Sequence, residues 1–173
     1  MILYDTMPSP VGQLLLVSED DGLTGLYFET CRYGRRAADD WTRAPGCQAL
    51  GIARAQLDAY FAGSLSTFTL PLAPRGTAFQ QRVWAELRSI GCGETISYGE
   101  LARRIGDPRA VRAVAGANAR NPIAIIVPCH RVIGADGSLT GFGGGLERKR
   151  WLLEHESGTS YADGPQLALE AVR

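Results

Sequence analysis

An unbroken apolar run from Ile123 to Val127 leads directly into the stretch Pro128 to Arg131, in which a proline is followed by Cys, His and Arg. β-Branched side chains favour extended backbone, so the run predicts a strand that is buried on both faces. A buried segment that ends on a thiol, an imidazole and a guanidinium loses free energy unless these groups are paired or face a cavity. Two interpretations remain open at this point: a functional site, or a small core cysteine beside a surface His-Arg pair.

The composition is that of a globular protein with one sizeable domain or two small ones. The chain has 173 residues, of which 45% are hydrophobic and 21% charged. It contains no apolar run long enough to cross a bilayer, and its N-terminus lacks the basic and apolar regions of a signal peptide. We therefore expect a cytoplasmic location and no contact with a membrane.

The cysteine pattern excludes the common metal sites. The four cysteines are widely spaced and form no CxxC pair, and the chain has only two histidines. We expect free thiols, no metal ligand set and no cofactor. The four are Cys31, Cys47, Cys92 and Cys129.

The net charge is zero, but the charge is unevenly distributed. Residues 1–70 contain five Arg against eight Asp or Glu, whereas residues 71–173 contain thirteen basic against ten acidic residues. Between Glu100 and Arg131 there are six Arg against two acids. A local basic patch on a neutral protein indicates brief, salt-sensitive contact with a polyanion.

Residues 1–75 read as a small α/β domain in which an antiparallel sheet is followed by a helix. An Asp20-Asp21-Gly22 turn predicts a hairpin, and apolar residues recur with a helical period up to Phe61, before Gly63. The polar segment 31–46 predicts a loop. The predicted strands are Met1–Thr6, Gln13–Ser18, Leu23–Glu29 and a short strand through Phe68, Leu70 and Leu72, and the predicted helix is Leu50–Phe61.

Residues 76–157 read as a mainly helical domain, which makes the whole chain α+β. Thr77 with Gln80, and Ser97 with Glu100, have the spacing of capping boxes that open helices. A short helix up to residue 105, a turn at Gly106 and a third helix over residues 108–120 then form a helix-turn-helix of winged-helix type. Residues 158–173 have weak helical character and predict a mobile tail.

The third predicted helix has a flat basic face. At about 100° per residue one side collects small and basic residues, whereas Val111, Val114 and Asn118 lie on the opposite side. Small residues would allow close approach to DNA, with the arginines reaching phosphates or bases. A solvated Arg/Ala helix is the alternative. The face consists of Arg109, Arg112, Ala113, Gly116 and Arg120.

A glycine-rich loop and a last helix follow the cysteine segment. The loop over residues 140–145 does not match GxGxxG, because Leu146 occupies the last glycine position. The helix over residues 146–156 places Glu154 and Glu156 near its C-terminus, where the helix dipole disfavours carboxylates, so we expect a partner for one of them. Its predicted packing residues are Leu146, Trp151, Leu152 and Leu153.

The PCHRV pentapeptide, preceded by NP and followed by a glycine cluster, resembles the active-site signature of the O6-alkylguanine-DNA alkyltransferases. The resemblance covers residues 79–156 without a gap. It implies a ribonuclease H-like N-terminal domain and DNA repair by single, irreversible transfer of a methyl or larger alkyl group from guanine O6 to Cys129. It also implies that the damaged base is flipped out of double-stranded DNA, as a thiol could not reach it inside the stack.

The resemblance assigns roles to further residues. It implies that the third helix enters the minor groove, that Arg112 fills the gap left by the flipped base, and that Tyr98 helps to turn the nucleotide out and hydrogen-bonds it. The Gly143 N–H would face the O6 oxygen and Phe142 would stack on the base, although many relatives have tyrosine there. The expected DNA and base contacts are Tyr98, Arg112, Ala113, Gly116, Val132, Phe142 and Gly143.

The chemistry of the thiol defines the predicted catalytic set. Cys129 must be a thiolate when it attacks, and His130 is the nearest base in sequence. Neighbouring residues of a strand point to opposite faces, so the resemblance to a Cys-water-His-Glu network suggests relay through a water. Glu156 would then hold the tautomer of the imidazole, and Asn121 would shape the site.

Two other classes of protein compete with this interpretation. A Cys-His hydrolase would need an oxyanion hole, and a helix-turn-helix beside the cysteine gives no reason for one. A non-enzymatic alternative is a winged-helix regulator or an alkyltransferase-like lesion binder. By resemblance, lesion binders have another residue in place of the tetrad cysteine, whereas Cys129 is present here, which favours chemistry. We expect a monomer, and leave open cooperation between copies on DNA, the size of adduct and the use of O4-alkylthymine.

Overall fold

The computed structural model describes residues 1–161 and divides the chain into two compact units. The first unit contains Met1–Arg75 together with Pro122–Ile126, and the second contains Gly76–Asn121 and the chain from Val127 onward. The expected α+β class is confirmed. The predicted tail at residues 158–173 lies outside the described residues from position 162. No helix within residues 1–161 is long and apolar enough to cross a membrane.

A four-stranded sheet forms the first unit. Its strands are β1 (Leu3–Met7), β2 (Leu14–Glu19), β3 (Gly22–Phe28) and β4 (Thr42–Arg43), in the order β3-β2-β1-β4. The first three pair antiparallel, as predicted, and β4 pairs parallel to β1. Asp20 and Asp21 both have positive φ, at 50° and 63°, as the two-residue hairpin turn between β2 and β3 requires.

Helix α1 (Gln48–Phe61) packs against this sheet through an apolar face made of Leu50, Ala53, Leu57 and Tyr60. The helix ends just before Gly63, whose φ of 78° is easily reached only by glycine. Both the helix and its stop confirm the prediction. Burial of its four apolar side chains, rather than helix propensity, stabilises an element of this length.

Three predictions for the first unit were wrong. The loop at residues 31–46 contains β4, and the strand through Phe68, Leu70 and Leu72 does not form. Only Leu72 makes an isolated bridge, with Leu23, flanked by hydrogen bonds from Leu23 N to Pro71 O and from Ala73 N to Leu23 O. Pro71 has no N–H to extend such pairing into a ladder.

The third wrong prediction is the strand from Ile123 to Val127. The run is buried, but only Ile123 bridges to Leu26, and a turn follows in which Ile125 has a φ of 69°. A β-branched residue rarely adopts the left-handed region, so the residue type at position 125 had predicted extended backbone. The short-range bond from Ile126 N to Ala124 O, 2.7 Å long, takes the place of a strand ladder.

Helix α2 (Ala78–Leu87) opens the second unit with the predicted capping box. Thr77 Oγ1 accepts from Gln80 N, and Gln80 Oε1 accepts from Thr77 N. Its buried face includes Val83, Trp84 and Leu87, and the Trp84 indole donates to Ala117 O at 2.8 Å.

The helix-turn-helix consists of α3 (Tyr98–Arg104) and α4 (Val111–Ala119), with the turn at Gly106, whose φ is 87°. Only half of the second predicted capping box forms. Ser97 Oγ accepts from Glu100 N, but the Glu100 carboxylate instead binds Arg103 and Arg104, one turn along the helix. Two cations compete for the carboxylate more strongly than one backbone N–H.

Helix α4 begins later than predicted. Asp107 forms a turn in which its carboxylate accepts from Arg109 N and its carbonyl from Ala110 N, so regular helix starts only at Val111. Val111 is 37% exposed, contrary to its predicted inward orientation. The inner face is Val114, Ala117 and Asn118.

Two short strands, β5 (Ile96–Ser97) and β6 (Val132–Ile133), pair in parallel. Helix α5 (Leu146–Ser157) ends at Gly158, whose φ is 68°. Leu152 and Leu153 are buried as predicted, whereas Leu146 is 39% exposed, which corrects its assignment as a packing residue. Leu146 is the first residue of the helix, one turn before its buried face begins at Lys149.

Candidate active site

Cys129, His130 and Arg131 form one turn of 3₁₀ helix, and all three side chains are buried. Pro128 precedes the turn, and its carbonyl accepts from Arg131 N at 3.0 Å. Because the chain turns here, the alternation of side chains expected for a strand does not apply. The turn lets the thiol and the imidazole belong to one site.

Glu156 of α5 reaches this turn and binds two of its side chains. Its Oε1 lies 2.7 Å from His130 Nε2 and 2.9 Å from Arg131 Nη2, and its Oε2 accepts from Arg131 Nε at 2.9 Å. Arg131 also donates from Nη1 to Ile90 O at 2.6 Å. The expected partner of a carboxylate near the end of α5 is therefore a His-Arg pair. The tetrad arginine, to which the sequence assigned no role, holds Glu156 with two hydrogen bonds.

The protonation states in this group follow from its burial and charges. Burial by itself would raise the pKa of Glu156, but the charge and hydrogen bonds of His130 and Arg131 outweigh it and hold that pKa far below its ordinary value. Burial lowers the pKa of His130 despite the nearby carboxylate. We infer an ionised Glu156, a permanently charged Arg131 and a neutral imidazole.

This arrangement fixes the tautomer of His130. An ionised carboxylate only accepts hydrogen bonds, so the imidazole proton must lie on Nε2. The lone pair is then on Nδ1, which is buried and has no hydrogen-bond partner among the described residues. A buried imidazole nitrogen with a free lone pair can accept a proton, so His130 is equipped to act as a base.

The Cys129 thiol is 6% exposed and rests in its neutral form. Burial raises its pKa, whereas a side-chain hydrogen bond from Asn121 and the charge of Lys149 lower it. Since burial outweighs the other two effects, a base or a fixed positive charge is needed to produce the thiolate.

Two asparagines hold the backbone on either side of Pro128. Asn121 Nδ2 donates to Val127 O at 2.7 Å, and Asn118 Nδ2 donates to Cys129 O at 3.2 Å. Asn121 was predicted to shape the site, but Asn118 was not assigned to it. The signal was its amide on the inner face of α4, because a buried amide needs a specific partner.

Lys149 is a second residue that the sequence reasoning missed. Its side chain is 0% exposed, and its Nζ donates to Val132 O at 2.6 Å and to Thr140 O at 2.9 Å. The signal lay in the helical spacing, which places Lys149 on the same face of the helix as Leu152, Leu153 and Glu156.

Tyr98 and the glycine-rich loop lie beside Lys149. The Tyr98 hydroxyl donates to Thr140 O at 3.0 Å, and burial together with the nearby Cys129 raises its pKa to about 12, so the hydroxyl keeps its proton. Lys149 Nζ lies 5.8 Å from the centre of the Tyr98 ring and 5.9 Å from that of Phe142. Gly141 has a φ of 65°, and a Cβ there would lie 3.3 Å from the Tyr98 hydroxyl.

The remaining predicted contact residues differ in accessibility. Arg112 and Ala113 are exposed on α4, and Gly116 is half-buried. At Gly143 an added Cβ would make an ordinary van der Waals contact, 3.5 Å from Ala119 O. Val132 is fully buried and its carbonyl is bound by Lys149, so its side chain faces the interior.

Comparison with known proteins gives matches to both parts of the chain. Residues 2–74 match the ribonuclease-like domain of 6-O-methylguanine DNA methyltransferase, and residues 78–158 match its DNA binding domain. A methylated-DNA–protein-cysteine methyltransferase of Mycobacterium tuberculosis is 54% identical over 163 residues, covering 94% of this chain and 97% of its own. One of Haemophilus influenzae is 47% identical over 90% of this chain and 86% of its own.

Solved structures agree with these matches. The crystal structure of Mycobacterium tuberculosis OGT in complex with DNA has a TM-score of 0.83 and 53% identity, covering 93% of this chain and 96% of that one. A two-domain fold of this kind, with a buried Cys-His-Glu set, defines a class of thiol-dependent alkyl-transfer proteins. The chain belongs to the 6-O-methylguanine DNA methyltransferase family.

Proposed function

We propose that Cys129 is the residue that accepts the alkyl group in this chain. The chain is a DNA-repair enzyme of the methylated-DNA–protein-cysteine methyltransferase type, and DNA is its partner. The observation that carries the assignment to Cys129 is the buried His130 on the same turn, whose hydrogen bond to Glu156 of α5 leaves Nδ1 of the imidazole free to take a proton. Cys31 and Cys47 lie in the first unit, and Cys92 lies outside the turn that carries His130.

The proton of the thiol passes to His130 Nδ1 through a bridging water. Glu156 stabilises the imidazolium that forms, because its carboxylate is already hydrogen-bonded to Nε2. Arg131 keeps Glu156 ionised and in place through two hydrogen bonds. Asn121 and Asn118 hold the peptide carbonyls around the cysteine, which fixes the direction of the Cys129 side chain.

The transfer is a single displacement. The thiolate of Cys129 attacks the alkyl carbon, the S–C bond forms, and the bond from that carbon to guanine O6 breaks. Its electron pair stays on the guanine, which takes up a proton to become the normal base. Tyr98 keeps its proton at neutral pH. Its hydroxyl donates to Thr140 O in this structure and can turn to donate a hydrogen bond to the charge that develops on the base. The product is an inert thioether, so each molecule reacts once.

Damaged double-stranded DNA binds through α4. Its small residues Ala113 and Gly116 allow close approach to the minor groove, and Arg112 occupies the gap left by the flipped base. Phe142 then stacks on the base, and the Gly143 N–H faces O6. Residues 76–157 carry binding and transfer, and residues 1–75 have a structural role. A monomeric state, a cytoplasmic location and activity on O4-alkylthymine stay predictions.

Intact-mass spectrometry tests the assignment. The protein is incubated with a duplex oligonucleotide containing O6-methylguanine, and the mass and the modified peptide are determined. We expect a gain of one methylene mass that saturates at one per chain, maps to Cys129 and is absent in Cys129→Ser. Cys92→Ser, a control in the same unit, is expected to react normally. Methylation at another cysteine would refute the proposal, and so would a protein that binds the DNA without becoming methylated.

A further inference from the structure

The only lysine of the chain lies fully inside it. Seventeen of the eighteen basic residues are arginines, and the exception, Lys149, is 0% exposed. An ammonium has three donors, of which two go to Val132 O and Thr140 O. No carboxylate lies within ion-pair distance of Nζ among residues 1–161. A buried cation without a counter-ion is costly, which points to an anion that forms only during the reaction.

We propose that Lys149 is a positioning residue whose ammonium is the fixed counter-charge of the Cys129 thiolate, and which aligns the Tyr98 hydroxyl through the Thr140 carbonyl. The inference rests on the proposed role of Cys129 as the alkyl acceptor. It gives Lys149 a role distinct from that of the His130-Glu156 pair, which takes the proton.

Electrostatic coupling between the two groups supports this arrangement. Burial lowers the pKa of Lys149 to about 8, and the negative charge of Cys129 raises it, while the lysine in turn lowers the pKa of the thiol. The titratable groups that face Lys149 from other elements are Cys129 and His130 of the 3₁₀ turn and Tyr98 of α3. On its own helix, Glu156 is ion-paired with Arg131 and accepts a hydrogen bond from the neutral His130.

The hydrogen bonds of Lys149 connect three parts of the site. Val132 directly follows the turn that carries Cys129, and Thr140 is the first residue of the glycine-rich loop. The Thr140 carbonyl accepts from both Lys149 and Tyr98, so the lysine restrains the acceptor that orients the phenol. A guanidinium is planar and stays charged, so it cannot match these two carbonyls in the same way.

A single lysine makes a direct test possible in the unaltered protein. Selective ¹³C labelling of lysine at Cε gives one NMR resonance, whose shift is followed as a function of pH. We expect Lys149 to titrate near pH 8 in the wild type, and at lower pH in Cys129→Ser and in the methylated protein, because the thiolate partner is gone. Identical titrations in all three samples would refute the proposal that Lys149 is the counter-charge of the Cys129 thiolate.

Variants test the same inference by reactivity. Lys149→Met removes the charge, Lys149→Gln keeps a donor, and Lys149→Arg keeps the charge. The rate of Cys129 labelling by iodoacetamide, read by peptide mapping, is measured across pH beside single-turnover methyl transfer. We expect the thiolate-dependent rise to move to higher pH in the Met and Gln variants, with about tenfold slower labelling at neutral pH for each unit of pKa.

Lys149→Arg is expected to retain the wild-type midpoint for iodoacetamide and to lose methyl-transfer rate, because the Thr140 and Tyr98 contacts change. Arg88→Met, which removes an exposed cation of the same unit, is the control. An unshifted midpoint in a folded Met or Gln variant would contradict the proposal. Failure of the wild type to methylate Cys129 would instead refute the proposed function, so the two failures are distinguishable.

Discussion

His130 Nε2 lies 2.7 Å from Glu156 Oε1, and both side chains are completely shielded from solvent. The two residues come from different elements, the 3₁₀ turn and the last turns of α5, and are separated by 26 positions in the chain. A hydrogen bond this short in the interior determines which imidazole nitrogen carries the proton. The same bond therefore supports both the stability of the second unit and the chemistry of the thiol.

Replacing the carboxylate should separate these two effects. In Glu156→Gln, Arg131 stays buried without an ionic partner, and we expect a loss of about 3–5 kcal/mol in the free energy of unfolding, measured by urea denaturation. Methyl transfer should slow even in the fraction that is folded, because an amide can donate to Nε2 and reverse the tautomer. Glu154→Gln, on the same helix, is the control. An unchanged methyl-transfer rate in folded Glu156→Gln would show that the His130 tautomer fixed by Glu156 is not needed for the reaction.

The same pair predicts an acid-sensitive fold. The pKa of His130 is lowered by burial, so the unfolded chain binds its proton more readily and stability falls as the pH drops below about 6.5. The pKa of Glu156 is also lowered, so its contribution is present above about pH 4.3 and is lost at lower pH. Urea midpoints measured across this range should decrease in two stages. His130→Asn should abolish the first stage, whereas His155→Gln should retain it.

A matched pair of glycines tests the loop beside Tyr98. Gly141 and Gly137 have φ of 65° and 84°, so alanine strains the backbone at either position by about 1–2 kcal/mol. Only at Gly141 would the new Cβ approach Tyr98, at 3.3 Å from its hydroxyl, whereas the space at Gly137 is open. We expect Gly141→Ala to slow methyl transfer and Gly137→Ala to lower thermal stability alone. Equal transfer rates would show that the loop does not control Tyr98.

The exposed face of α4 should act on DNA rather than on the thiol. Arg112→Ala is expected to weaken binding to lesion-containing duplex and to reduce the slope of log affinity against log salt concentration by about one. Iodoacetamide labelling of Cys129 should stay at the wild-type rate. Arg88→Ala serves as the comparison. A changed labelling rate with unchanged DNA affinity would assign Arg112 to the interior of the site instead.

Local signals in the sequence predicted many of the elements. The Thr77-Gln80 capping box and the stop at Gly63 depend on bonds or dihedral angles within a few residues, which is why they could be read directly. The start of α4 could not be predicted in this way, because an aspartate at position 107 is compatible with both a helix cap and a turn. Half of the Ser97 capping box does not form for a similar reason, because the Glu100 carboxylate pairs with the neighbouring Arg103 instead of accepting from the backbone N–H of Ser97.

Periodicity, helix caps and residue order were sufficient to predict the α+β class, the helix-turn-helix and the position of the Cys-His-Arg stretch. Three features became visible only in the folded chain: Ile125 turns rather than extends, Arg131 shares Glu156 with His130, and Lys149 faces inward. Each of these is set by partners far along the chain. Burial raises the cost of an unpaired charge, and which groups pair in the interior is known only once the chain has folded.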